Sequence, residues 1–420
     1  MSDTVIMPPP ASPAPPATDP QQPDVAFAGR RWPLFKLMVK NAILQLLTLG
    51  IYRFWAKTWV RRYFWSNTRI KDEPLEYTGL PSELLIGFLI VLAVLVPLGI
   101  SYHFIELAMA AMPFAAQIAL NVFYYVVIIA LIQFGFYRMW RYRMSRTAWR
   151  GIRFGLEGSA REYVKKSFLW GLLTLATLGV AMPWTRVALM RYRISNTRYG
   201  DAPFDFEGSA KALLGPWLVF YVPLILYFGL LAASGLFDSD VMSGTGEPQI
   251  NTSLAISASL VLFLIFPISI WYRVREFRFM IDSTRFSDVS FKSELETLSI
   301  ILLGIGTAIV TFFVLLLIFS LIAVVVGIFA GIYHGVYDFE ATLAGGEPAA
   351  AFVVGVLIIL TFLMVTTVIK TVIFQRGIVF QACRTASISD SGAFNRVLQS
   401  TAAAPAHGEG LADAFDVGAI

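Results

Sequence analysis

All 33 Lys and Arg of this 420-residue chain fall on one side of its long apolar runs. The runs cover about 82–104, 113–137, 212–236, 252–272, 298–332 and 349–369. Each is long enough to meet the ~20 residues that cross a bilayer. Segments 105–112, 237–251 and 333–348 between them hold no Lys or Arg, only Glu106, Asp238, Asp240, Glu247, Asp338, Glu340 and Glu347. The cations sit in 53–71, 138–166, 186–211, 273–292 and 370–396, joined by Arg30, Arg31, Lys36 and Lys40. Basic flanks resist translocation. The expectation is six spans, both termini cytoplasmic, and three acidic loops outside.

Composition agrees with a membrane chain. Hydrophobic residues make up 57% and charged residues 15%, against about 25% charged in soluble domains. A formal charge of +5 would suggest nucleic acid in a soluble protein, but here the placement of charge reads as topology and no nucleic-acid partner is expected. One cysteine, Cys383, and three scattered histidines, His103, His334 and His407, give neither a disulfide framework nor a Cys/His metal cluster. No metal or cofactor is expected. Residues 1–26 are Pro-rich and read as a disordered tail, with no basic start or apolar core of a cleavable leader. Residues 401–420 read as a flexible C-terminal tail.

The chain also repeats itself. Residues 55–79 and 184–208 align without a gap at an offset of 129, with 10 of 25 positions identical. The shared residues run Trp55, Arg62, Tyr63, Ser66-Asn67-Thr68-Arg69, Asp72, Pro74, Gly79 against Trp184, Arg191, Tyr192, Ser195-Asn196-Thr197-Arg198, Asp201, Pro203, Gly208. Thr48-Leu49-Gly50 and Thr177-Leu178-Gly179 coincide at the same offset. A period this long marks a duplicated structural unit. The implied organisation is a first membrane repeat over 27–157, a second over 158–290 and a degenerate third over 291–400. Two further apolar segments, 34–54 and 167–184, have basic residues on both sides. They fit in-plane or re-entrant helices better than crossings. The fold expected is mainly α: a polytopic transmembrane helical bundle built from internal repeats.

A β-hairpin follows the repeated basic segment. In Gly200-Asp201-Ala202-Pro203 the residues signal a turn. Phe204 and Phe206 then alternate with Asp205 and Glu207, the period of a half-buried strand. Leu75 and Tyr77 do the same around Glu76. Looser versions lie at 146–154 and 283–291, with a weaker echo at 384–394. A lone hairpin is only marginally stable, so these copies are expected to pair into one small cytoplasmic sheet. Arg69, Arg198, Asn67 and Asn196 are the candidate contacts for anionic lipid head groups or another ligand, since Arg grips phosphate bidentately. Local turn-closing pairs such as Arg69–Asp72 and Arg198–Asp201 are the structural alternative. Asn121 and Gln133 are candidate polar residues for an intramembrane cavity.

The spans hold almost no ionisable residue in mid-membrane, where ion-coupled transporters place one. No Walker loop, His-Glu-x-x-His or nucleophile elbow occurs, so an enzyme is not expected. The Thr-Leu-Gly, Trp, Arg-Tyr, Ser-Asn-Thr-Arg and Asp-x-Pro pattern, with Trp149-Arg150-Gly151-Ile152-Arg153-Phe154, resembles the YjgN-like family of bacterial inner-membrane proteins over about residues 27–400. Around 291–400 the Thr-Leu-Gly and Trp-anchored elements are not recognisable. The resemblance implies a bacterial inner-membrane location and no reaction. Two roles stay open: a transporter or a lipid- or small-molecule-binding membrane protein, or a scaffold engaging a cytoplasmic protein through the sheet. Membrane lipids are partners in either case.

The charge distribution predicts a labelling pattern. In a Cys383→Ser background, Glu106→Cys and Asp240→Cys should react with an impermeant thiol reagent applied outside. Ser66→Cys and Ser195→Cys should not. External reaction at Ser195→Cys would make 167–184 a crossing.

Overall fold

The computed structural model describes residues 23–109, 112–236, 251–334, 348–389 and 392–400. The expected loose tails lie outside these residues except at 23–26, and so does most of the three acidic loops. Six helical stretches among the described residues are long and apolar enough to cross a membrane. They are α3 (Pro81–Met109), α4 (Phe114–Arg146), α7 (Ala210–Ala233), α8 (Thr252–Asp282), α9 (Thr297–His334) and a last rod. The rod comprises α10 (Pro348–Ile369), a π-helical segment Lys370–Gln375 and α11 (Arg376–Arg384).

The segments 34–54 and 167–184 each supply the first arm and the turn of a helical hairpin. α1 (Arg31–Leu47) turns back into α2 (Arg53–Asn67), and α5 (Ala160–Ala176) into α6 (Met182–Ser195). Helices α1 and α5 have 17 residues each, about 26 Å at 1.5 Å per residue. The break comes from backbone geometry. Leu49 and Gly50 have φ of 49° and 87°, and Leu178 and Gly179 have 51° and 96°. This left-handed region ends helices and favours glycine. Thr48 Oγ1 donates to Leu44 O and accepts from Tyr52 N. Thr177 Oγ1 donates to Leu173 O and accepts from Ala181 N. Both tips are bare hydrocarbon, with Leu49 94% and Leu178 80% exposed.

The described strands gather at the end of the bundle where α2, α4, α6, α8 and α11 finish. The chain leaves α2, α4, α6, α8 and α11 through Thr68, Thr147, Thr197, Thr284 and Thr385. Each threonine donates its hydroxyl to the carbonyl four residues back, at 2.7–2.9 Å. That satisfies one of the four carbonyls a helix end leaves open, while the β-branched side chain suits the strand that follows. The strands are β1 (Val25–Phe27), β2 (Thr68–Ile70), β3 (Glu73–Tyr77), β4 (Thr147–Trp149), β5 (Ile152–Leu156), β6 (Thr197–Tyr199), β7 (Ala202–Pro203), β8 (Asp205–Phe206), β9 (Thr284–Phe286), β10 (Val289–Ser293) and β11 (Ala386–Ile388).

They form an antiparallel sheet in the order β1 to β7 and a second in the order β11-β10-β9-β8. Only Phe204 separates β7 from β8. At the other seam, Ile388 N donates to Asp24 Oδ2 at 2.9 Å, tying β11 to the residue before β1. The two sheets therefore close into a ring. Its register repeats: Phe27, Tyr77, Leu156 and Phe206 pair with Thr68, Thr147, Thr197 and Thr284. Two-residue turns close the hairpins. At Lys71-Asp72 and Arg150-Gly151 both residues have positive φ, as a type I′ turn needs.

Strand alternation sends every second residue inward. Trp149, Tyr199, Phe286, Val289 and Ile388 fill the ring as one core, with Ile70, Leu75, Phe154, Phe204 and Phe291 packed against it. The stretch after β11 plugs the same core with Phe394 and Val397. Phe394 stacks on Phe286 at 5.0 Å. Phe206 is buried and Phe204 half-buried, while Asp205 and Glu207 are exposed, as the alternation implies. Three strands end in an aromatic residue, one spacer and glycine: Phe27/Gly29, Tyr77/Gly79 and Phe206/Gly208. A Cβ on any of these glycines would come within 2.5–2.6 Å of the preceding aromatic ring, so only glycine admits the ring there.

The N-terminal boundary differs from expectation. A disordered tail to residue 26 would cut through β1, which is ordered because it completes the ring beside β2 and β11.

Phe206 lies against Phe279, with ring centroids 5.9 Å apart. Phe206→Ala should lower stability by about 3–5 kcal/mol, read as a large fall in melting temperature in detergent. Glu207→Gln removes an exposed ion pair with Arg285 (3.1 Å) and should cost under about 1 kcal/mol. Equal shifts for the two would contradict the inward placement of Phe206.

Candidate functional site

The structure gives three of the four repeated polar residues local work. Asn67 Nδ2 donates to Tyr63 O at 2.7 Å and Asn196 Nδ2 to Tyr192 O at 2.6 Å, so each amide caps the end of its own helix. Arg198 Nε meets Glu157 Oε2 at 2.6 Å, and its Nη1 donates to the backbone oxygen of Asp201 at 3.0 Å. The Asp201 carboxylate instead accepts from Leu398 N at 3.0 Å, helping to hold the plug. Arg285 pairs in the same way with Glu207, and Arg150 with Glu73 at 2.9 Å. Arg69 is exposed and has no side-chain partner among the described residues. The reason is one residue: Ala28 stands where Glu157 and Glu207 stand for Arg198 and Arg285. Strands β3, β4 and β5 separate Arg69 from Arg198, and the two do not converge on a pocket.

Asn121 and Gln133 do not form a site together. Both lie on α4, twelve residues apart. Asn121 Oδ1 accepts from Tyr102 OH at 2.7 Å and its Nδ2 donates to Gln117 O at 3.0 Å. Neither residue lines the cavities described below.

Two spaces among the described residues are apolar. One of about 400 Å³ lies between the first hairpin and α10, lined by Met38, Leu46, Leu49, Leu360 and Met364 among others. A second, of about 900 Å³, opens between α8, α9 and the rod, where Phe263, Phe266, Ile270, Phe277, Ile301 and Phe374 contribute to the wall. Apart from Arg273, Gly304 and Cys383, every lining residue is hydrocarbon. Phe374 reaches it from the π-helical segment, a form of helix that occurs frequently at functional sites. Arg273 is exposed and has no partner among the described residues. Pocket sizes of about 300–1,000 Å³ are those of small-molecule sites. The sequence did not mark this cavity, because hydrocarbon facing a cavity and hydrocarbon facing lipid have the same composition. The nearest signal was Arg273, a cation standing among aromatic and aliphatic residues.

The fold and its spaces define a multi-pass helical membrane protein carrying a plugged ring of strands at one end. The chain belongs to the family described as Bacterial protein of unknown function (DUF898), whose sequence model matches residues 22–414. It is similar to the inner membrane protein YjgN of Salmonella typhimurium, 25% identical over 158 residues. That stretch is 38% of this chain and 37% of the Salmonella protein, so the alignment spans little more than a third of the relative. No solved structure matches.

Burial pushes the Tyr199 hydroxyl, which donates to Trp149 O at 3.0 Å, up to about 12. An unfolded tyrosine ionises near 10. The native state thus keeps a proton that the unfolded state gives up, and this contribution is complete below pH 10 and lost as pH rises toward 12. Tyr199→Phe should make the fall in melting temperature between pH 10 and 12 shallower than in the parent protein. An unchanged slope would remove Tyr199 from the alkaline transition.

Proposed function

We propose that this chain is a lipid-binding protein of the bacterial inner membrane, with its ring of strands and both termini on the cytoplasmic side. The observation that carries the reading is the cavity of about 900 Å³ whose wall is almost wholly hydrocarbon. Such a wall suits acyl chains and offers little to a hydrated solute. The filled interior of the ring points the same way, since Trp149, Tyr199, Phe286 and Phe394 occupy its centre. The positive-inside distribution supports the orientation. Placing the ring inside also lets the bare tips at Leu49 and Leu178 enter the bilayer as re-entrant hairpins, their backbone covered by neighbouring helices. The second tip is held that way, with Trp217 Nε1 donating to Gly179 O at 3.1 Å and Tyr221 OH to Leu178 O.

The proposal includes duplication. Residues 129 apart make the same bonds: Asn67 and Asn196 to their helices, Thr48 and Thr177 at their turns. Arg62 Nη2 donates to Gly79 O at 3.2 Å and Arg191 Nη2 to Gly208 O at 2.8 Å.

Retained lipid tests the reading. The full chain, extracted in mild detergent and washed extensively, should keep phospholipid in fixed proportion to protein. Gly304→Leu should reduce it: a Cβ there meets only Phe374, at 3.6 Å, leaving the rest of the side chain to occupy the cavity. Lipid content that falls steadily to zero with washing, alike in both proteins, would refute the proposal.

A further inference from the structure

Helix α8 passes from hydrocarbon into polar surroundings within one residue. Val274 and Phe277 line the large apolar cavity, whereas Arg278 lines a second cavity of about 250 Å³ with Asp282, Arg285, Lys292 and Ser293. The link from β10 to α9 makes the same passage in reverse. Ser293 and Glu294 border the polar cavity, and Leu295 the apolar one. Two pairs of adjacent residues, Phe277-Arg278 and Glu294-Leu295, thus each put one residue on the apolar cavity and its neighbour on the polar one. In the orientation proposed above, this boundary lies at the inner membrane surface.

Several polar groups of the small cavity are already engaged. Arg285 meets Glu207 and donates to the backbone oxygens of Asp282 and Thr284. Asp282 Oδ1 accepts from Ser293 N at 2.9 Å. Glu294 is exposed and can turn to water. Arg278, half-buried, and Lys292, exposed, have no partner among the described residues. Ser293 is only 2% exposed, and its hydroxyl has no hydrogen-bond partner among the described residues. A buried hydroxyl without a partner is costly and calls for explanation. Two unpaired cations beside an unpaired buried donor match the oxygens of a phosphate.

We infer that the two compartments together hold one anionic phospholipid, its phosphate at Arg278, Lys292 and Ser293 Oγ and its acyl chains in the apolar cavity. The inference rests on the lipid-binding reading and adds the charge of the head group and the residues that select it. A free phosphate would use only the polar half and leave the adjoining hydrocarbon wall without purpose.

Native mass spectrometry of the full chain in detergent, titrated with phosphatidylglycerol, phosphatidylcholine or inorganic phosphate, tests it. The parent protein should bind phosphatidylglycerol at least ten-fold more tightly than phosphatidylcholine. Arg278→Gln with Lys292→Gln should abolish that preference while phosphatidylcholine still binds. Ser293→Ala, which keeps the side chain small and removes the unsatisfied hydroxyl, should weaken phosphatidylglycerol several-fold without lowering the melting temperature of the lipid-free protein. Gly304→Leu should weaken both lipids alike. Equal binding of the two lipids by the parent protein overturns the inference, as does a preference that survives the double substitution. Displacement of phosphatidylglycerol by millimolar inorganic phosphate would also overturn it, by assigning the polar cavity to the free ion. Failure of the parent protein to bind either lipid would instead remove the lipid-binding reading itself.

Discussion

The architecture depends on one short hydrogen bond made five times. At Thr68, Thr147, Thr197, Thr284 and Thr385 the side chain turns back to a carbonyl of the helix just finished, while the backbone sets out as a strand. Without that bond the helix end would expose its last carbonyls at the crowded base of the ring, where neighbouring strands displace the water that usually satisfies them. Each bond is worth only about 1 kcal/mol net. Its larger effect is directional, since it fixes where five of the strands start and so sets the register of four strand pairs. The aromatic core then follows from parity: the residue two after the first four of these threonines points inward, as Ile70, Trp149, Tyr199 and Phe286.

The ring and the helices divide their stabilising forces. Among the strands, apolar burial works against water, and aromatic rings at 4.8–6.3 Å supply much of the contact. Burying a large side chain there contributes about 1.5–3 kcal/mol. In the spans the surroundings are as apolar as the side chains, so burial contributes little and packing decides. That difference explains why a cavity of about 900 Å³ persists between α8, α9 and the rod while the ring is filled to its centre. A gap in the ring would admit water to an aromatic core. A gap between spans admits a lipid chain at small cost.

Much of this was legible from residues. The strict separation of cations from acidic loops located six apolar stretches, and the period-two run at Phe204 and Phe206 announced a strand because alternation has no other common cause. Pairing of the hairpins was legible from their instability alone. β1 was missed because three residues beside a Pro-rich stretch carry no periodic signal, although Phe27-Ala28-Gly29 has the same aromatic, spacer and glycine as 77–79 and 206–208. The turn that ends α1 within 34–54 was hidden because apolar residues continue on both sides of it, and only Gly50 hinted at it. Arg69 and Arg198 read alike in the sequence and differ in the structure, because the residue that distinguishes them, Ala28 or Glu157, lies on another strand. Pairing across a sheet is a property of register, which no local pattern encodes.

Closure of the ring by β1 and β11 has a consequence for how the protein is made. The two strands meeting at that seam are separated by more than 350 residues, so the partner of β1 is made only after all the intervening helices and strands. Until then the growing assembly presents an unpaired strand edge, a template for the wrong partner. β1 can dock on β2 early, since fewer than fifty residues intervene, but the opposite edge must wait. Insertion of the helices therefore precedes final closure, and the stretch carrying Phe394 and Val397 enters last, as a stopper pressed into a vessel already formed. Loss of the stretch carrying Phe394 and Val397 is therefore a defect of the whole ring rather than of its last strand.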